Sequence, residues 1–210
     1  MELVALAPDV IITDTSFNVA AVQQATRTVP IVFGGVIDPV GAGLVGSLAR
    51  PGGNLTGFTN FEPQIGSKWL EVLKELSPRL DEIAAIYNPE AAPYAPTYLS
   101  SIQRAAPSFG VKTTFRGIEN VGAIESAIAS IGNGGAVGLI VLPDAFTTTN
   151  RAPIIAAAER NSVPAIYPYG VFVQSGGLAS YGCRGSRLIT TKDACASARG
   201  CRLGTAPPLC

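Results

Sequence analysis

The stretch Thr28 to Thr59, TVPIVFGGVIDPVGAGLVGSLARPGGNLTGFT, reads as strand, polar turn, helix, glycine turn and strand in one run. Val29, Ile31, Val32, Phe33 and Val36 make a nearly continuous apolar, mostly β-branched run, the pattern of a strand buried on both faces of a parallel sheet. Asp38-Pro39 ends that run. An Asp carboxylate accepts from the free N–H groups of a helix's first turn, and Pro at the first helical position lacks only an N–H that would go unpaired. A helix is therefore expected from Asp38, at the C-terminal end of a strand, where open α/β sheets place ligands.

Gly41, Gly43 and Gly46 also satisfy G-x-G-x-x-G after a strand, with Glu62 about 20 residues beyond the first glycine, as the dinucleotide fingerprint asks. In that fingerprint the glycines make the turn itself, so that backbone reaches pyrophosphate. Here Asp38-Pro39-Val40 make the turn, which pushes the glycines into the expected helix and puts a carboxylate where phosphates would lie. The three glycines are expected to let that helix approach its sheet and to bind no phosphate.

Outward from this unit, Val10-Ile11-Ile12 is expected as a short buried strand, closed by the N-capping cluster Thr13-Asp14-Thr15-Ser16 before a helix over Phe17 to Thr26. That helix start offers hydroxyls and free N–H groups to an anion such as a carboxylate, although plain capping accounts for the same residues. Met1 to Leu6 resembles a last helical turn, as though elements stood upstream. Downstream, Gly57 to Pro63 is a crossover and Pro63 to Leu76 a helix, with Trp69 on its apolar side as a core residue. The pattern then restarts: strand Ile83 to Tyr87, turn Asn88-Pro89, helix Tyr94 to Ala106, strand Lys112 to Phe115, helix Val121 to Ile131 and strand Ala136 to Leu142. Turn Pro143-Asp144-Ala145, helix Ala152 to Asn161 and strand Val163 to Tyr167 follow. Two α/β lobes are expected, residues 1–61 and 62–176, with 177–182 crossing back and 183–210 as an atypical tail.

Composition narrows the function. The 210 residues carry 15 Lys and Arg against 15 Asp and Glu, no His, and 47% apolar residues, so a packed core is within reach and the body of the chain shows no basic footprint for nucleic acid. All four cysteines fall in the last 28 residues. Before them, the usual metal ligands and the Ser-His and Cys-His nucleophile pairs are missing, and neither metal nor cofactor is expected. No apolar run reaches the ~18 residues of a membrane span, and no export signal is read at the start. Residues 1–182 hold 10 Lys and Arg against 14 Asp and Glu, whereas 183–210 hold 5 against 1. The tail's cysteine intervals of 12, 6 and 9 match no zinc or redox spacing. It is expected to stand outside the fold.

The segments PDVIIT, VPIVFGGVIDPVGAGLVGSLARPGGNLTGFTN, KWLEVLKELSP, AAIYNPEAAPY, GLIVLPDAFT, VPAIYP and GGLASYG resemble the substrate-binding proteins of ABC transporters, in the family whose better-known members bind aromatic amino acids. The resemblance covers about residues 1 to 182 and is most specific at DPVGAGLV and LARPGGNLTG. It implies a type I periplasmic-binding fold: two Rossmann-like lobes with parallel sheets, three crossovers and a ligand trapped between the lobes. It further implies a permease partner and a periplasmic or otherwise extracytoplasmic setting for the full-length family. By resemblance, Thr15, Ser16 and Asp38 line the first lobe's face, and Asn88, Tyr94, Asp144 and Tyr167 the second's. Family members carry further strands before the equivalent of Met1 and a long helix after SYG, so the first lobe is expected to be incomplete, with an exposed sheet edge open to self-association. Ser16-Phe17-Asn18 departs from the small residues usual in that turn, and the ligand is expected to differ accordingly.

These residues together predict a non-enzymatic solute-binding protein that closes on a small polar or amino-acid-like ligand. A nucleotide-dependent α/β enzyme using Gly41, Gly43 and Gly46 is the alternative, and the sensing lobe of a regulator is a third, disfavoured because no helix-turn-helix precedes it. For the leading reading, an amino-acid zwitterion would place its ammonium on Asp38 and Asp144 and its carboxylate at Thr15-Ser16.

Overall fold

The computed structural model describes residues 2–59, 61–62, 64–132, 136–182 and 187–190. A turn of helix, Glu2–Ala5 (α1), leads to strand Ile11–Thr13 (β1), helix Ser16–Ala25 (α2) and strands Ile31–Val36 (β2) and Leu55–Thr59 (β3). These strands form a parallel sheet in the order β1-β2-β3. Strands Glu82–Tyr87 (β4), Lys112–Gly117 (β5), Val137–Val141 (β6), Ala165–Tyr167 (β7) and Ala179–Gly182 (β8) build the second sheet, interleaved with helices Ile65–Leu76 (α3), Ala95–Ala105 (α4), Gly122–Gly132 (α5) and Arg151–Arg160 (α7). Short helices Ala145–Thr149 (α6) and Gly170–Gln174 (α8), which no periodicity announced, sit in the connections. Two parallel α/β sheets in one chain are the architecture expected.

The second sheet is covered on both faces, and the alternation along its strands shows how. Ile83 and Ala85 of β4 and Ile140 of β6 point towards α3 and α4, into a cluster with Trp69, Leu70, Leu73, Tyr98 and Ile102. Their neighbours Ala84, Ile86, Leu139 and Val141 point the other way, towards Ile124 and Ile128 of α5 and Ile154 and Ala158 of α7. Trp69 is fully buried, as a core residue should be, and its indole N–H donates to Tyr181 O at 2.6 Å. The sheet runs β5-β4-β6-β7-β8, with Arg187–Thr190 (β9) beyond β8, so the strand order reverses at β4, with β5 on one side and β6 on the other. Loops at such a reversal diverge and open a crevice beyond the strand ends.

The structure corrects the deciding stretch in two ways. β2 is buried on one face only: Ile31, Phe33 and Val36 pack with Val19 and Val22 of α2 and with Ile11 and Leu55, while Gly34 is exposed and Val32 half-buried. Nor does a helix begin at Asp38. Asp38 adopts φ 47°, much as Thr15 does where it caps α2, but Gly43 takes φ 67°, a left-handed backbone that a helix interior does not hold, so residues 39–50 run as turns and bends and Gly41, Gly43 and Gly46 lie in those turns instead of in a helix. Its carboxylate Oδ1 accepts from Gly41 N at 3.0 Å, capping one isolated turn. Gly41 is required there because a Cβ would collide with that same carboxylate.

The chain's end also differs from the expectation. Ala179–Gly182, read as a crossover, is a strand of the second sheet, parallel to β7. Arg187–Thr190 (β9), read as part of a tail outside the fold, pairs antiparallel with β8. The four cysteines lie outside the described residues. Among the described residues, no helix is long and apolar enough to cross a membrane.

Candidate functional site

The C-terminal ends of strands from both sheets converge on one cleft of about 1020 Å³. The first sheet contributes Thr15, Ser16 and Phe17 from the turn and helix start after β1, with Gly35 and Ile37 at the end of β2. The second contributes Glu90, Ala91, Pro93 and Tyr94 after β4, Pro143, Asp144 and Ala145 after β6, and Tyr169 and Val171 after β7. The turns after β4 and β6 flank the reversal of strand order. That is why the crevice lies there.

Of the residues expected at the site, Thr15, Ser16, Tyr94 and Asp144 line the cleft, while Asp38, Asn88 and Tyr167 do not. Thr15 caps α2, its Oγ1 accepting from Asn18 N at 3.3 Å. Asp144 is the N-cap of α6: Oδ1 accepts from Thr147 N at 2.6 Å, and Oδ2 from Asn88 N at 3.1 Å. One carboxylate thus ties together the two turns beside the strand reversal. Burial pushes its carboxyl above the ordinary carboxylate range, and the bonds from Thr147 and Asn88 pull back against that rise.

Asn88 stays behind the wall as its brace. Its Nδ2 donates to Ile118 O at 2.8 Å and its Oδ1 accepts from Ala91 N at 2.8 Å, which fixes the loop carrying Glu90 and Ala91. Asp38 faces the other lobe instead of the cleft, its Oδ2 accepting from Thr97 Oγ1 of α4 at 3.4 Å. Beside it, Ile37 packs into the second lobe's core cluster, so this turn joins the lobes. Tyr167 ends β7 facing inward and stacks on Phe172 at 4.8 Å. Tyr169, two residues on and past Pro168, is the tyrosine that reaches the cleft.

Tyr94 donates its hydroxyl to Pro143 O at 2.5 Å; burial, and after it the charge of Asp144, push the phenol well above its usual range. Two aromatic paths run from the cleft to Trp69. Tyr169 meets Phe61 at 5.4 Å and Phe61 meets Trp69 at 5.9 Å; Tyr94 meets Tyr98 at 6.1 Å and Tyr98 meets Trp69 at 5.6 Å. Phe17, Glu90 and Tyr169 are among the lining residues that sequence reasoning passed over, as are Thr148, Thr149 and Val171. Phe17, Glu90 and Tyr169 each lie within two residues of a chosen one, and their place after strand ends was the available signal; Thr148 and Thr149, on α6, carried none. Among the described residues, no three His, Cys, Asp or Glu side chains gather as a metal site would need. None of Gly41, Gly43 and Gly46 lines the cleft.

A family model described as ABC transporter substrate binding protein matches residues 1–191. A tyrosine-binding protein of Clostridioides difficile strain R20291 is 30% identical over 175 residues, which are 83% of this chain and 49% of that protein. The chain therefore spans about half the length of this curated relative. Among solved structures, a conserved domain protein of Vibrio cholerae is 30% identical with a TM-score of 0.75, covering 85% of this chain and 59% of its own. A substrate-binding protein with adhesive properties from Clostridium difficile, in a ligand-free, open structure, is 27% identical with a TM-score of 0.62, covering 86% and 60%. A domain from Streptococcus pneumonia in complex with L-Trp shares the fold with a TM-score of 0.76 at 23% identity, covering 86% of this chain and 60% of its own.

Proposed function

The chain belongs to the family of ABC transporter substrate-binding proteins, and from that premise we propose that it is the solute-binding component of an importer, holding a small amino-acid-like ligand between its lobes. The observation that carries this is a cleft lined by strand-end turns of both sheets, with hydroxyls and a helix start on one wall and tyrosines and carboxylates on the other. Such a cleft serves binding by hinge closure: ligand contacts made from both lobes exist only in the closed form, so the ligand shifts the population towards it. The Asp38–Thr97 bond and the packing of Ile37 against the second lobe are contacts between the lobes about which that motion would act.

An amino acid with an aromatic side chain is the ligand class we favour, because the 30% identical Clostridioides relative is a tyrosine-binding protein and the cleft presents Phe17, Tyr94 and Tyr169. The partner would be a permease, the working compartment would be extracytoplasmic, and no catalytic step is assigned. The nucleotide reading is not the one favoured, because the Asp38 carboxylate takes the Gly41 N–H that a phosphate would need and Gly41, Gly43 and Gly46 stand outside the cleft lining. Titration with L-tyrosine, L-tryptophan, NAD and ATP, followed by thermal shift and small-angle scattering, tests the proposal. Saturable binding of an amino acid with a smaller radius of gyration is expected; saturable binding of NAD or ATP instead would reject it.

A further inference from the structure

Which part of a ligand the cleft recognises follows from the charges on its walls, an inference that rests on the proposed binding function. Among the described residues, the charged side chains lining it are Glu90 and Asp144, and no Lys or Arg lines it. Asp144 is engaged on both oxygens by backbone donors of its own lobe. Glu90 differs. It is exposed, and among the described residues its carboxylate makes no hydrogen bond or ion pair.

Glu90 is nevertheless held in place through its backbone, because Asn88 accepts from Ala91 N through Oδ1 and from Ala92 N through its carbonyl at 2.9 Å. On the opposite wall Phe17 is 83% exposed, a large ring on the first turn of α2 with nothing packed over it. Phe17, Tyr94, Tyr169 and Glu90 share the cleft. A ring face attracts a cation, and a carboxylate pairs with an ammonium; both favour positive charge. Among the described residues a ligand carboxylate would meet no cation in this lining, but hydroxyls such as those of Ser16, Thr148 and Thr149 and the N–H groups at the start of α2, a pull of a few-fold at an exposed site.

We propose that the ligands of this cleft are protonated amines with an aromatic or apolar body, held through the ammonium by Glu90 amid the rings of Phe17, Tyr94 and Tyr169, and that a carboxylate on the ligand is dispensable. Glu90, and not Asp38 or Asp144, is then the ammonium anchor.

Three probes separate the groups: L-tyrosine, tyramine, which lacks the carboxylate, and N-acetyl-L-tyrosine, which lacks the ammonium charge. Calorimetric titration of the chain is expected to give tyramine within about fivefold of L-tyrosine and N-acetyl-L-tyrosine weaker by about 10- to 100-fold. Glu90→Gln should weaken tyramine by about tenfold or more with an unchanged melting temperature, since the carboxylate supports nothing else. L-tyrosine binding with tyramine lost, with N-acetyl-L-tyrosine equally tight, or with Glu90→Gln without effect would each overturn the amine inference and leave the cleft function standing. Saturation by none of the three would overturn both.

Discussion

The two sheets of this protein are built from similar words and packed differently. β6 and the Ile83 to Ile86 run of β4 are apolar throughout and bury both faces, with side chains alternating between the α3/α4 layer and the α5/α7 layer. β2 carries an equally apolar run, yet among the described residues its sheet is packed by α2 on one side, and Ile12 and Phe58 of the neighbouring strands remain 78% and 76% exposed. An apolar strand therefore reports what the chain can cover and does not identify which faces are covered. The difference divides labour as well. The second lobe holds the continuous core, and the first contributes a helix start and an exposed ring to the cleft.

The comparison is broken most directly by matched truncations. Ile140→Ala removes a fully buried side chain of β6 and is expected to cost about 2–5 kcal/mol in denaturant unfolding. Ile12→Ala, on the uncovered face of β1, should stay within about 0.5 kcal/mol. Equal costs would show that the first sheet is packed as tightly as the second.

Asn88→Ala comes next. It strips the bonds to Ile118 O and Ala91 N from a buried position, and about 1–3 kcal/mol of stability should go with them. Ligand affinity should fall too, because the Glu90 loop loses its brace. A loss of stability at constant affinity would separate the loop from the site.

A pH titration sharpens the contrast between the cleft's two carboxylates. The Asp144 carboxyl is raised above its ordinary 3.8, burial being the main cause, so the folded chain holds that proton more tightly than the unfolded chain. The stability linked to it is fully present below the unfolded value and is lost as pH rises through the raised folded value. Melting temperatures measured across that window should show this slope, and Asp144→Asn should flatten it. An unchanged slope in Asp144→Asn would assign it to another group.

The smallest effect belongs to the contact between the lobes. Thr97→Val deletes a hydroxyl that donates over 3.4 Å to Asp38. A change of about 0.5–1 kcal/mol is expected, read in the same unfolding assay. A larger loss would give this turn a structural weight that its single long hydrogen bond does not explain.

Periodicity made most of the second lobe legible: the Trp69, Leu70 and Leu73 face of α3 and the alternating burial of β4 and β6 follow from spacing alone. The deciding stretch misled because Asp38-Pro39 has the right side chains for a helix start and does cap a turn, while Gly43 takes φ 67° and ends the helical path, a choice of backbone that spacing does not reveal. Phe17, Glu90 and Tyr169 were legible to within one or two positions, whereas Thr148, Thr149 and Val171 lie four or five positions from any expected residue. Strand ends located the turns, but whether Tyr167 or Tyr169 faces the cleft depends on the chain's path through Pro168. Asn88 and Glu90 divide in the same way, since the shorter side chain turns inward to hydrogen-bond its own loop and the longer one is left outward. Arg187–Thr190 escaped notice because a four-residue edge strand, paired on one side with β8, carries too short a pattern to read.

That the cleft between the lobes takes a small ligand is tested most directly by following the fluorescence of Trp69, the one tryptophan, while L-tyrosine or tyramine is titrated into the chain and into Phe17→Ala. Trp69 is linked to the cleft tyrosines through Phe61 and Tyr98, and Phe17 is exposed enough that its loss should leave the melting temperature unchanged. The account predicts a saturable signal of one ligand per chain, weakened by about tenfold in Phe17→Ala at equal stability. A saturable signal identical in both chains would place the ligand elsewhere and contradict it.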